Sequence, residues 1–118
     1  MATVNYTQAY PIDGNSKFML VQWADMANGD VGQAFTLADY ADRSVQVEGT
    51  FGSGGTAVVE GTNDSTNWRT LNDPYSNAIS ITTSKVEAVS ELVVGIRPSI
   101  TAGDGTTSLT VSMLVRKN

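Results

Sequence analysis

The 118-residue sequence contains no cysteine and no histidine, only three prolines and only seven basic side chains. Without cysteine there is neither a disulfide framework nor a thiolate nucleophile, and without histidine the usual general base and the commonest zinc ligand are missing. Those absences remove several enzyme classes together. The basic residues, Lys17, Arg43, Arg69, Lys85, Arg97, Arg116 and Lys117, are dispersed along the chain and outnumbered by twelve acidic ones, for a net charge of -5. Affinity for a phosphate backbone comes from clustered positive charge, so nucleic acid is not an expected partner. The N-terminal Met1-Ala2-Thr3-Val4-Asn5-Tyr6 lacks the basic region and apolar stretch of a secretory signal. No apolar run approaches the ~20 residues that span a bilayer. The expectation is a soluble protein made in a reducing cytoplasm, with no membrane partner.

What is present is enough apolar sequence for one core. Hydrophobic residues make up 41% of the chain, with valine and isoleucine in alternating runs, more than a disordered segment carries. A chain of this length forms one domain and buries roughly two-thirds of its unfolded surface. Residues 1–118 therefore read as a single domain, with no linker or internal repeat. Residues 1–12, which contain Pro11, read equally as an extended N-terminal arm or as a terminal edge strand.

Two segments alternate with the period of two that marks a strand with one buried face. In Ser44 to Phe51, Val45, Val47 and Phe51 alternate with polar residues; in Ser108 to Val115, Leu109, Val111, Met113 and Val115 share a face that Leu114 does not. The run Phe18-Met19-Leu20-Val21 is apolar on both faces, which suggests a strand covered on both sides or a contact between subunits. Weaker strand candidates are Gln33 to Leu37, Thr56 to Gly61, Trp68 to Leu71, Ala78 to Thr82 and Leu92 to Ile100, the last with Pro98, which belongs at a sheet edge or bulge. Turn signals recur about every ten residues, among them Asp13-Gly14-Asn15, Asn28-Gly29-Asp30, Asn63-Asp64-Ser65 and Gly103-Asp104-Gly105. The only helix signal is the capping-box pattern Ser84-Lys85-Val86-Glu87, with room for one or two turns. The fold class expected is all-β, an antiparallel β-sandwich of jelly-roll type with about eight short strands.

Candidate sites reduce to turns. Val59 to Leu71 reads as a β-hairpin whose Asn63, Asp64 and Asn67 cap the turn and whose Trp68 packs in the core; a similar hairpin occurs in carbohydrate-binding modules of the discoidin type, where it is mainly scaffold. Asp64 and Asp104 could supply oxygen to calcium, but neither stands among the spaced carboxylates of a calcium loop. Glu48 and Glu60 are a carboxylate pair only if they face each other across strands joined by Gly52-Ser53-Gly54-Gly55. That glycine turn is neither a phosphate loop, lacking the terminal Lys-Ser or Lys-Thr, nor a nucleophile elbow for Ser53. The Asn5 and Asn63 sequons matter only in a secreted eukaryotic chain. No catalytic, cofactor-binding or metal-binding residue is assigned, and no enzyme is expected.

The order of these pieces, Asn28-Gly29-Asp30, then Asp42 to Gly52, Val59 to Asp64, Ile96-Arg97-Pro98 and Gly103 to Thr107, resembles a family of small tailed-phage proteins encoded near the major capsid protein. The resemblance spans Asp13 to Arg116 and departs from the family at Thr62-Asn63-Asp64-Ser65, where Ser and Gly would flank the Asn-Asp pair. It implies a β-sandwich capsid decoration, or cement, protein: a dimer or trimer on the outside of the virion head, made in the bacterial host cytoplasm, with the major capsid protein as partner. It brings no catalytic residues. A carbohydrate-binding module of a phage fibre or secreted protein is the second reading.

Overall fold

Period-two alternation becomes two stacked sheets. The computed structural model describes residues 2–10, 12, 14–36 and 40–117, with the backbone alone at residues 40 and 41. Pro11, Asp13 and Leu37, on which parts of the arm, first turn and Gln33 to Leu37 expectations fall, lie outside the described residues. Strands are β1 (Thr3–Val4), β2 (Tyr6–Ala9), β3 (Phe18–Met26), β4 (Val31–Gly32), β5 (Phe35–Thr36), β6 (Tyr40–Thr50), β7 (Thr56–Thr62), β8 (Arg69–Thr70), β9 (Ser80–Ile81), β10 (Lys85–Ala88), β11 (Gly95–Ala102) and β12 (Ser108–Lys117). One sheet runs β10-β6-β12-β3-β2; the other runs β1-β4-β11-β7-β8, with β5 also on β11 and β9 also on β7. Among the described residues only the β1–β4 pair is parallel. The described residues form a β-sandwich with twelve strands rather than about eight, because pieces of two residues each pair separately: β4 and β5 along β11, β8 and β9 along β7, and β1 on β4.

The core lies between the sheets. Val45 and Val47 on β6, Leu109, Val111, Met113 and Val115 on β12, and Val21 and Trp23 on β3 meet Ala57 and Val59 on β7 and Ile96 and Ile100 on β11. Strand β3 is interior, between β12 and β2. Its alternation is one-sided: Val21 and Trp23 are buried, Met19 packs against the core, and Phe18 and Leu20 stay half-buried on the outer face. A bulge around Asp25 (φ 55) resets the register against β12, so that Met26 also points inward.

Two sequence expectations are corrected here. Residues 85–88 are strand β10, paired with β6 from Lys85↔Val47 to Ala88↔Ser44; the cross-strand ladder outweighs a local capping preference. Among the described residues there is no helix. Pro98 sits in β11, an interior strand, opposite Val59. Its other side is the gap between the Ser99↔Val31 and Ile96↔Phe35 contacts, so no ladder bond is lost to the missing N–H. Close by, a Cβ on Gly32 would lie 2.5 Å from Pro98 Cδ and 2.8 Å from Trp23 Cδ1; only glycine lets β4 approach this closely.

The N-terminal segment is an edge strand in both sheets. β1 extends one sheet and β2 the other, so residues 3–9 close one open side of the sandwich. Tyr6 packs edge-on against Trp23 and Phe35, with ring centroids 5.8 and 5.6 Å away.

Candidate interaction face

The outward residues of the five-stranded sheet form registered rows. One row runs Ala9, Leu20, Leu114, Ser44, Ala88 across all five strands. The next runs Thr7, Gln22, Ser112, Gln46, Val86. No residue in either row is charged. Leu114 and Val86 are exposed, and Gln22 Nε2 donates to Ser112 Oγ at 3.0 Å, which ties β3 to β12 on this face. Charges appear only at its ends. Arg116, beside Phe18, donates to Asp42, and Gln46 Nε2 donates to Glu48 at 3.1 Å.

The face is not flat. The small side chains of Ser44 and Ala88 leave a groove of about 550 Å³ at the β10 side, bounded by Phe18, Leu114 and Arg116 and by Pro74 from the opposite sheet's loops. Behind it Arg43 follows the inward parity of Val45 and Val47 and is buried. Burial lowers its pKa, while the charges of Glu91 and Asp42 oppose that shift. Burial alone would raise the Glu91 pKa, but two 2.7 Å hydrogen bonds from Asn72, backbone and side chain, together with Arg43, hold it below the usual value. An inward cation anchored between the sheets was legible only as the same alternation extended two residues back from Val45.

The other sequence candidates are separated or consumed. Glu48 and Glu60 lie on β6 and β7, which belong to different sheets; Glu48 stands opposite Thr110, and Glu60 Oε1 accepts from Arg97 Nε at 2.9 Å. They form no carboxylate pair. Asp64 accepts from Thr62 Oγ1, Thr66 N, Asn67 N and Asn67 Nδ2 at 2.7 to 2.9 Å. These bonds, those from Asn67 first, hold it well below the usual carboxylate range. Asp104 accepts from Thr106 Oγ1, Ser53 N and Thr106 N, and its pKa falls to about 2. Through it the glycine turn at residues 52–55 is pinned to the β11–β12 loop. Among the described residues no three His, Cys, Asp or Glu side chains converge as a metal site.

Trp68 is outside the core, contrary to expectation. Leu71 points inward at 5% exposure, and the two-residue alternation puts Trp68, three positions earlier, on the opposite face. There it lies half-buried over Gly95 with the Arg97 guanidinium 4.1 Å from its ring centroid.

Fold and face together define the class: a two-sheet β-sandwich whose most regular surface feature is an uncharged sheet face. No protein-family model matches the chain, and no curated protein sequence matches it. Among solved structures it is similar to "Crystal structure of SPBc2 prophage-derived protein YomS", with a TM-score of 0.61 at 10% identity, over 81% of this chain and 91% of that one. At that identity the likeness is one of fold.

Proposed function

We propose that this chain is a structural, non-enzymatic phage protein that decorates the outside of the head as a homo-oligomer and stabilises the shell, with the major capsid protein as its partner on the virion. The observation that carries this reading is the uncharged double row on the five-stranded sheet, a surface suited to contact rather than chemistry. Two further points support it: the turn carboxylates are already satisfied by local hydrogen bonds, and the similar fold belongs to a prophage-derived protein. A cement protein links neighbouring shell subunits, so its sites exist where those subunits hold the mature spacing, and each added contact must break before the shell opens. Several protomers held together engage several subunits at once, which raises retention through effective concentration. Mixing the protein with procapsids and with expanded heads tests this. Co-sedimentation with expanded heads and delayed heat release of DNA are expected; failure to bind either particle refutes the reading.

The half-buried Trp68 beside Arg97 favours a second reading, a carbohydrate-binding module, because a surface indole is a usual sugar platform. Saturable polysaccharide binding lost in Trp68→Ala, without head binding, would select it.

A further inference from the structure

We propose that the outer face of the five-stranded sheet binds a second copy of this chain, as an isologous dimer whose twofold axis runs along β12 past Leu114. This rests on the oligomeric part of the proposed function. Shape is the first argument. The face is asymmetric about β12: on the β3 side stands the larger Leu20, and on the β6 and β10 side lie the small Ser44 and Ala88 with their groove, which Phe18, Leu114 and the Asp42–Arg116 pair wall at one end. A rotation of 180° about β12 exchanges these sides. It lays Leu20 of each copy over Ser44 and the groove of the other and leaves Leu114 against its own mate. Row then faces row, so the Gln22 and Gln46 amides meet across the interface rather than facing leucine. The strands of the two sheets stay nearly aligned, as in face-to-face sheet packing.

Area is the second argument. The three middle strands carry four outward rows and β2 and β10 two each; at ~4.8 Å between strands and ~6.8 Å between rows this gives roughly 500 Å² per copy, ~1,000 Å² in total, the least that a specific interface needs. Charge is the third. Copies of a protein with net charge -5 repel one another, and this face keeps charge out of its two central rows. Arg116, which approaches its own mate near the axis, is neutralised within its own chain by Asp42.

The test is sedimentation velocity at tens of micromolar, where a dimer is expected. Leu114→Glu and, as a milder exposed change, Gln46→Arg should each shift the population to monomer, while Thr70→Arg on the opposite sheet should not. Circular dichroism of each variant shows whether it is folded. Because the chain has no cysteine, Ser112→Cys introduces a unique thiol beside the axis. A bis-maleimide spanning ~10 Å, the separation of packed sheets, should link it to its mate, whereas Thr70→Cys should stay unlinked. A wild-type monomer, or a dimer indifferent to both face variants and uncrosslinked at residue 112, overturns the proposal. A monomer whose head binding is lost in Leu114→Glu also overturns it and assigns the face to the shell. None of the dimer measurements needs phage heads, so their failure leaves the head-binding test to decide the decoration reading.

Discussion

At the residue scale, the side chains most tightly constrained are those where backbone or ring meets backbone. Gly32→Ala forces a methyl against Pro98 and Trp23, and overpacking of this kind costs about 2 kcal/mol. A lowered urea midpoint with unchanged slope is the expected signature. Asp104 has a distinct, pH-linked effect. Its folded pKa, about 2, lies below the 3.8 of an ordinary aspartate, so its contribution is fully present above that ordinary value and is lost as pH falls toward 2. Asp104→Asn should therefore lower the melting temperature at pH 7 and leave a smaller difference from wild type near pH 2. Equal destabilisation at both pH values would show that the Ser53 and Thr106 hydrogen bonds do not depend on the charge.

At the scale of elements, the N-terminal strands are the closure of the sandwich. Tyr6 touches Trp23 and Phe35 from β2, and its backbone N–H donates to Gln33 Oε1 at 3.3 Å. Removing the ring by Tyr6→Ala should cost about 2 kcal/mol, less than a fully enclosed aromatic because Tyr6 is half-buried. Chemical denaturation checks it. Strand β10 shows how an element can contradict its own local pattern. Three residues of the helix-capping pattern, Lys85, Val86 and Glu87, join Ala88 in an edge strand because β6 presents an unpaired ladder there, and the Lys85–Glu87 pair at 2.9 Å places charge on the exposed edge.

At the scale of the whole molecule, the pairing of residues 40–50 with 108–117 and of 56–62 with 95–102 sets the folding problem. Such separations must be closed before they stabilise anything, so refolding should take milliseconds to seconds. Stopped-flow fluorescence of the buried Trp23 reports it, and a microsecond phase carrying the whole amplitude would contradict it. A dimer held by an uncharged face also predicts the sign of its salt dependence. Between 50 and 500 mM salt the dissociation constant should fall, because screening weakens the repulsion between two copies of net charge -5 and removes no ion pair from the centre of the face; a dissociation constant that rises with salt would contradict it.

The alternation of residues 44–51 and 108–115 by itself determined two half-buried strands, their inward residues and, with the regular turn signals, an all-β sandwich. The period of two is a local property of an extended chain, and a buried face leaves it written in the sequence. Only the tertiary structure decided which strands share a sheet. That choice parted Glu48 from Glu60, moved Trp68 to the surface and turned Lys85 to Glu87, read from Ser84 as a helix start, into part of an edge strand. It also gathered Lys17, Arg43, Arg116 and Lys117, dispersed in sequence, at one end of the five-stranded sheet. The uncharged rows were invisible for the same reason: a row runs perpendicular to the chain, so its five members come from five strands, and register alone makes them neighbours.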